Sequence, residues 1–481
     1  TILKERKRVI INFLIIIQVN MDNIVIHLFE TYRHFYLYDV NSNMVVEIGK
    51  ILYDKLKQGI YDSDIDKLRK RGLLLERKKF EMRHPFDEQL ESVLDRNLKS
   101  MTLQVTKNCN LRCKYCVYSG SYSNRVHSNE RMSMEVALDA IDFFLEHSID
   151  SESIDLGFYG GEPMLEFPLV KNCIEYMEEN KGNKDVKYSL TTNATLLTDD
   201  MIDFFKRYGV EVTISLDGPK EIHNSNRITA TSGQGSYERV IQSLKKIENR
   251  WEQCRTKVNF NSVMSPEYGF GIYSNFFENT DFIKDFSAVV NLPSNTYTSE
   301  VKKMSNKFVE EFNYELFKFY FSMVRQDSQI KTTKIVRQHY QRLVDDIHDC
   351  LKVEVGDIKY DHHSGPCVVG RHRLFVDTNG KMFPCERVSE TSEVMNIGNI
   401  YKGFEVKKVR QLLNIGKITE SECKKCWAFR FCTICAMKAD CGNKLSAEQK
   451  LKYCDNVRAS VEDQLKDYYT FVEMGYDFER E

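Results

Sequence analysis

The sequence has no excess of charge of either sign and no long uncharged apolar run. Its 68 Lys and Arg residues stand against 70 Asp and Glu residues, a formal net charge of −2 at pH 7. Composition therefore gives no argument for a nucleic-acid partner or an anionic membrane surface, and we expect neither. The apolar run at residues 9–19 is too short to span a bilayer. With 42% hydrophobic and 29% charged residues, the composition is that of a globular protein, and the length suits about three domains.

The first twenty residues resemble a secretion signal only in part. Basic residues 4–8 precede the apolar run 9–19, but Asn12 and Gln18 interrupt the run and no small-residue cleavage site follows. We interpret residues 1–20 as an upstream extension, with Met21 as a candidate start, and keep a signal as the alternative. A cytoplasmic location is expected.

The cysteines are not spread along the chain as in a small disulfide-rich secreted protein. Most of the 14 cysteines fall within residues 109–116, 367–385 and 423–454. Such grouping with short spacings favours metal binding in a reducing cytosol.

The first group carries three thiols and not four. Cys109, Cys113 and Cys116 have spacings x3 and x2, directly after the apolar run 101–105. Structural zinc takes four protein ligands, whereas three cysteines on a 4Fe-4S cubane leave one iron open. A zinc loop completed from elsewhere and a disulfide remain the alternatives.

This motif, with the aromatic Tyr115 before the third cysteine, resembles the signature of the radical SAM enzymes. In that family the amino and carboxylate groups of S-adenosylmethionine (SAM) chelate the open iron. One electron from the cluster cleaves SAM to a 5′-deoxyadenosyl radical, which abstracts hydrogen from the substrate. The resemblance implies that Tyr115 covers the adenine.

Residues 96–300 alternate strands and helices, which favours a parallel sheet with ligands at the carboxyl ends of its strands. The resemblance implies an α/β fold with a partial (β/α)6 barrel. The predicted strands are 101–106, 154–159, 186–191, 210–216 and 257–263, and the predicted helices are 133–147, 168–180, 199–208 and 236–249.

Motifs that resemble the family's SAM-binding elements follow these strands in order. Glycines allow close backbone approach to a ligand, and the carboxylate of Glu162 can accept from the SAM ammonium. Turns, caps and a surface arginine are the alternative readings. The expected SAM-binding residues are Tyr115, Gly160, Gly161, Glu162, Asn193, Ser215, Asp217 and Arg227.

The amino-terminal residues read as strands followed by short helices. They resemble the winged-helix module (RRE, PqqD-like) with which peptide-modifying enzymes hold a leader peptide, which adds as a strand to the sheet edge. We assign this module to residues 21–95, and the basic run 67–71, together with the basic residues 77–79, is expected to meet an acidic leader. An ordinary α+β appendage with a solvated basic face is the alternative.

Residues 366–481 resemble the SPASM extension, which carries two auxiliary 4Fe-4S clusters, so three clusters are expected in all. We expect residues 301–365 to form a helical bridge to this extension. Zinc ribbons are the alternative. The resemblance implies Cys423, Cys426, Cys432 and Cys454 as ligands of an outer cluster, and Cys367, Cys385 and Cys435 as ligands of an inner one, with Cys441 as a possible substitute for Cys435.

The inner set departs from the family pattern. Asp361 stands where closed members have one more cysteine, so one iron is expected to be open to a substrate thiolate. His362, His363 or Cys350 are the alternatives that would close the site.

These resemblances imply a peptide maturase that binds a Cys-containing ribosomal precursor and forms thioether crosslinks, with flavodoxin or ferredoxin as electron donor. Segment 116–122 resembles the corresponding loop of thioether maturases. The first alternative is an anaerobic sulfatase maturase, which forms formylglycine with an Asp as base where this chain has Glu386. Carbon–carbon crosslinking is another alternative, as is a non-catalytic redox or peptide-binding protein.

Overall fold

The computed structural model describes residues 24–60, 62–300, 302–326, 329–356, 359–363 and 367–480. The expectations for residues 1–20 and for Met21 lie outside the described residues. In the part that is described, no helix is both long and apolar enough to cross a membrane.

The amino-terminal part is a three-stranded antiparallel sheet in the order β1–β2–β3, followed by two helices. Successive side chains of β2 point to opposite faces of the sheet. Leu37 packs against α1 and α2, whereas Tyr36 and Tyr38 pack against the carboxyl-terminal helix. The elements are β1 Ile26–Glu30, β2 Phe35–Asp39, β3 Met44–Ile48, α1 Lys50–Lys57 and α2 Ser63–Lys70.

Six parallel strands, β5 to β10, stand side by side in sequence order and form the partial barrel. The five strands predicted from sequence are all present. The sixth, β10, has the short and half-exposed sequence SAVVN at the sheet edge, so it lacks the continuous apolar run of a central parallel strand. The strands are β5 Ser100–Thr106, β6 Ser153–Gly160, β7 Asp185–Thr192, β8 Glu211–Ser215, β9 Val258–Val263 and β10 Ser287–Asn291.

Helices cover the outside of this sheet, and the four predicted ones are present. Side chains cap their first turns: Ser133 accepts from the amide of Val136, and Thr198 from that of Met201. After the short β4 Glu81–Met82, the helices are α3 Leu90–Arg96, α4 Met134–Glu146, α5 Phe167–Asn180, α6 Asp199–Tyr208, α7 Lys220–Asn226, α8 Tyr237–Arg250 and α9 Phe270–Asn279.

The carboxyl-terminal region extends the same sheet. β12 pairs in parallel with β5 on the side opposite β6, and three antiparallel strands follow it to complete a ten-stranded sheet. β11 pairs instead with β4. The strands are β11 Tyr360–Asp361, β12 Leu374–Val376, β13 Lys381–Phe383, β14 Gly398–Asn399 and β15 Gly403–Phe404.

Helices also connect the barrel to this region and close the chain. The last and longest of the closing helices, α16, packs on the amino-terminal sheet. The helices are α10 Asn306–Arg325, α11 Lys334–Arg342, α12 Asp349–Lys352, α13 Val406–Leu413, α14 Glu420–Lys424, α15 Ala447–Leu451 and α16 Cys454–Glu473.

Candidate functional site

The first cysteine loop leaves the carboxyl end of β5 and is held by the segment that follows α7. The amide of Arg112 donates to the carbonyl of Ile228 (2.7 Å), and that of Lys114 donates to the carbonyl of Asn226 (3.1 Å). These bonds fix the loop against the barrel mouth.

The three thiols of this loop are unbridged, and two of them receive backbone donors. The amide of Leu111 lies 3.3 Å from Cys109 Sγ, and that of Tyr118 lies 3.4 Å from Cys116 Sγ. Burial raises the pKa of Cys109 to about 12, so this thiol stays protonated unless a cation or metal compensates the thiolate. Sulfur atoms that receive amide N–H groups fit the ligands of an iron–sulfur cluster, whose potential depends on such bonds.

No three His, Cys, Asp or Glu side chains converge on one point closely enough to hold a single ion, as far as the described residues show. A cubane makes a different demand. Each thiolate binds its own iron, so the ligands surround a cluster and do not meet at one centre.

The glycine pair after β6 is required by the protein backbone itself. A Cβ on Gly160 would lie 2.1 Å from the carbonyl oxygen of Thr106, and one on Gly161 would lie 2.0 Å from that of Asn108. Gly160 also has a φ of +142°. The amide of Gly161 donates to Thr106 (2.9 Å). The close approach that we expected toward a ligand is therefore made first to the base of the cysteine loop.

Glu162 ties the ends of two neighbouring strands together. Its buried carboxylate accepts from the hydroxyl of Thr192 (2.6 Å) and from the amides of Asn193 (2.7 Å) and Met164 (3.1 Å). Burial raises its pKa, while these three donors favour the ionised form. Most of its acceptor capacity is thus used within the protein.

Asn193 and Ser215 lie at the ends of β7 and β8, both mostly buried. The amide group of Asn193 donates to Asn110 Oδ1 (2.9 Å) and lies 3.8 Å from Cys109 Sγ. Asn193 is therefore in direct contact with the cysteine loop.

Asp217 joins two of the other expected site residues. Its Oδ2 accepts from Arg227 Nε (2.9 Å) and from the hydroxyl of Tyr115, and its Oδ1 accepts from the amide of Val263 (3.1 Å). Asp217 and Arg227 are 0% and 6% exposed, and Arg227 Cζ lies 5.5 Å from the centre of the Tyr115 ring. The cysteine loop, β8 and the segment after α7 thus meet at one carboxylate.

A buried ion pair that sequence analysis missed lies on the other side of the loop. Arg125 Nε is 2.6 Å from Glu390 Oε1, which also accepts from Gln104 Nε2 (2.6 Å). Burial raises the pKa of Glu390, and Arg125 opposes that rise. Arg125 and Glu390 lie in loops that carry no motif. The one sequence signal for this pair is Gln104, a polar residue within an apolar strand.

The four cysteines of the expected outer set are brought together. Burial raises the pKa of Cys432 to about 12, with the neighbouring Cys426 and Cys423 acting in the same direction. Burial also raises the pKa of Cys454, at the start of α16, and the same two thiols act in the same direction. A group of four thiols, two of which neighbour both of the others, fits the ligands of a second cluster.

The expected inner set also comes together. Burial raises the pKa of Cys385 to about 12, with Glu386, Cys435 and Cys367 acting in the same direction. The carboxylate of Glu386 is 2.7 Å from Arg373 Nη1.

The residues considered as a fourth ligand lie in different settings. His362 uses both ring nitrogens, one toward the amide of Gly416 (2.8 Å) and one toward the carbonyl of His363 (3.0 Å). Cys350 packs against the amino-terminal module. Cys441, which we considered only as a substitute for Cys435, is exposed, and its amide donates to the carbonyl of Lys444.

Parts of this chain resemble known proteins. Residues 103–267 match the model of the Radical SAM superfamily. The chain is 30% identical over 235 residues to the cysteine-type anaerobic sulfatase-maturating enzyme of Clostridium novyi. The aligned residues cover 47% of this chain and 60% of that enzyme. It is 25% identical over 234 residues to the radical SAM cyclopropyl synthase TigE of Paramaledivibacter caminithermalis, 46% of this chain and 47% of that one.

The solved structure of native anSMEcpe with bound AdoMet and Cp18Cys peptide has a TM-score of 0.54 at 22% identity, over 76% of this chain and 99% of that chain. The chain spans about half the length of the curated relatives it matches, 39%, 47% and 60% for three of them. The fold is the α/β radical SAM fold with a partial barrel.

Proposed function

We propose that this chain is a radical SAM peptide maturase that joins a Cys sulfur of a ribosomal precursor peptide to a carbon atom of that peptide. Cys109, Cys113 and Cys116 would hold the SAM-binding 4Fe-4S cluster. When bound, that cluster and SAM supply one-electron chemistry able to remove a hydrogen atom from an unactivated carbon.

The chain's own residues keep this centre rigid. Glu162 and Asp217 each bind several donors from different elements, so the strand ends and the loop hold one geometry. Arg227 supplies a buried positive charge beside Cys113, where it is suited to the carboxylate of SAM. Tyr115 is the aromatic surface next to that charge.

The observation that carries the proposal is that Tyr159 lies within electrostatic reach of both Cys116, in the first cysteine loop, and Glu386, which directly follows Cys385 of the inner set. β12 pairs with β5, and Cys385 follows it after β13. Burial raises the pKa of Tyr159, and the positive charge of Arg125 opposes this rise. Cys116 and Glu386 both raise the pKa of Tyr159 as well. A peptide beside Tyr159 would therefore meet both centres.

The state of the inner set supports a sulfur-binding role. Cys367, Cys385 and Cys435 are the three mutually close thiols, and the ring nitrogens of His362 are already engaged. An open iron there suits a substrate thiolate, which is the group that a thioether-forming enzyme must position.

The amino-terminal module is the proposed leader-binding part, residues 21–95. Among the described residues, β3 pairs only with β2, which leaves an edge for an added strand. The basic residues Lys67, Arg69 and Lys70 lie in the last turn of α2 and suit an acidic leader. Flavodoxin or ferredoxin is the proposed electron donor.

Formylglycine formation is the second candidate, favoured by the 30% identity to the Clostridium novyi enzyme. In that reading Glu386 is the base. Its carboxylate is paired with Arg373, and the side chain is one methylene longer than the aspartate of that family. Carbon–carbon bond formation is favoured by the likeness to TigE.

The test is anaerobic reconstitution of the full chain with iron, sulfide, SAM, dithionite and a Cys-containing peptide encoded beside its gene. A thioether product loses two hydrogen atoms per link, and its sulfur resists alkylation. A product with a free aldehyde would establish formylglycine instead. Loss of hydrogen with every Cys still open to alkylation would indicate carbon–carbon bond formation.

A further inference from the structure

Lys450, at the end of α15, is almost completely buried beside the outer cysteine set. Only 1% of the residue is exposed. Its ammonium donates to Thr419 Oγ1 (2.7 Å) and to the carbonyl of Ile415 (3.2 Å), and it lies 3.8 Å from Cys423 Sγ. Thr419 Oγ1 itself is 3.2 Å from the same sulfur.

In the part of the chain that the structure describes, this ammonium has no carboxylate partner. Salt bridges are formed by many lysines of the chain, but within the described residues none of them involves Lys450. A buried charge without an opposite charge is strongly unfavourable, because two neutral oxygen acceptors do not replace the lost hydration. A negative charge at the neighbouring cysteine set would compensate it.

A second cation faces the same set from another side. The guanidinium of Arg458, on α16, hydrogen-bonds the thiol of Cys426 and pairs with Asp455. Lys450 and Arg458 thus approach two different cysteines of the four. Only Arg458 brings a carboxylate with it.

We propose that Lys450 is a fixed counter-charge of the outer cluster and raises its reduction potential. The inference rests on the proposed function for the identity of the four thiolates as cluster ligands. A cluster with four thiolates is negatively charged, and reduction adds one more negative charge. A buried cation at 3.8 Å from a ligand sulfur therefore stabilises the reduced state more than the oxidised one. This would make the outer cluster a ready acceptor of the electron released when product forms.

A purely structural role is the competing explanation, since Lys450 also joins Thr419 and Ile415. Lys450→Gln separates the two roles, because its amide retains a hydrogen-bond donor but carries no charge. Lys450→Arg retains the charge. Lys452→Met is the matched control, because Lys452 is two residues away, exposed and paired with Glu448.

The experiment is EPR-monitored potentiometry on the reconstituted full chain, with iron content measured for each variant. The outer signal is identified as the one that disappears in Cys426→Ala. Lys450→Gln should lower its midpoint potential by a tenfold change in the one-electron equilibrium constant, about 59 mV. Lys450→Arg and Lys452→Met should keep the potential of the unmodified chain.

An unchanged potential in Lys450→Gln at full iron content would overturn the inference and leave the proposed function standing. An equal shift in Lys452→Met would also overturn it, because the effect would then be a general one of surface charge. If Lys450→Gln loses the cluster, the Arg variant decides: a retained cluster at the original potential supports the counter-charge, and loss there too indicates a structural tether. Full iron in Cys426→Ala would instead refute the cluster assignment on which the proposed function depends.

Discussion

The imidazole of His27 stacks on the indole of Trp427, with ring centroids 3.6 Å apart and planes 7° from parallel. His27 lies on β1 of the amino-terminal sheet, and Trp427 directly follows Cys426 of the outer set. Two further contacts repeat this pattern: Tyr38 lies 5.4 Å from Phe431, and the guanidinium of Arg77 lies 4.5 Å from the ring of Phe429. Aromatic residues 427, 429 and 431 thus attach the proposed leader-binding module to the outer cysteine loop.

The burial of His27 in this stack makes the free energy of unfolding depend on pH between 6.5 and about 4. Burial lowers the pKa of His27 from 6.5 to about 4, with Glu462 acting against the shift and Lys466 with it. Because the unfolded chain binds this proton more readily, the stabilisation is complete above pH 6.5 and is lost as the pH falls toward 4. At about 1.4 kcal/mol per unit, the loss reaches roughly 3 kcal/mol at most.

His27→Phe should keep the stacked ring and remove the titration. Urea unfolding of both proteins between pH 4 and 7 measures the difference. Below pH 6.5 the free energy of unfolding of the unmodified chain should fall more steeply with decreasing pH than that of the variant. An equal dependence on pH in both proteins would contradict a buried neutral imidazole.

Gly161→Ala should disrupt the base of the first cysteine loop. The new Cβ would lie 2.0 Å from the carbonyl oxygen of Asn108, and backbone on both sides prevents an easy adjustment. We expect a destabilisation of about 3 kcal/mol, near the upper end for overpacking, together with poorer iron loading at this loop. Gly49→Ala is the control, because nothing lies within 4 Å of its Cβ position, and it should unfold at nearly the original denaturant concentration.

Asp217→Asn should leave the guanidinium of Arg227 buried without its counter-charge. Breaking one partner of a buried pair costs about 3–5 kcal/mol, and we also expect weaker SAM binding because Tyr115 and Arg227 lose their shared anchor. Calorimetric titration with SAM and thermal unfolding report the two effects. Asp150→Asn removes an exposed partner of Arg96 at the same 2.9 Å separation; if that variant were as unstable as Asp217→Asn, burial would not be the cause.

Cys113→Ala should abolish the release of 5′-deoxyadenosine, because two thiolates cannot hold the SAM-binding cluster. Iron content should fall by the share of one cluster. Cys173→Ala is the matched control, since Cys173 is fully buried in the apolar core of α5 and should keep both iron and activity. Normal release by Cys113→Ala would refute the assignment of this loop.

The local elements followed well from the sequence. Apolar periodicity gave five of the six barrel strands and the four outer helices, because each is a continuous apolar or amphipathic segment. β10 was missed because it is short and lies at the sheet edge. The pairing of β12 with β5 was not foreseen either, since three residues in a strand carry no signal of which distant strand they will join.

The roles of single site residues were less predictable. A glycine pair and a glutamate after a strand suggest ligand binding, but close packing of β6 on the cysteine loop already requires the glycines, and three protein donors already engage Glu162. The Arg125–Glu390 pair depends on residues 265 positions apart along the chain, so no local pattern contains it.

The sequence by itself determined the candidate chemistry of this protein: three thiols at spacings x3 and x2, grouped cysteines farther on, and polar residues at successive strand ends. Spacing within a short loop is a local property, and the identity of a thiol or carboxylate does not depend on the fold. Tertiary structure alone decided which side chains share a site, such as Lys450 with Cys423 and His27 with Trp427. Contacts between distant segments arise from the packing of whole elements, and one-dimensional order carries almost no information about them.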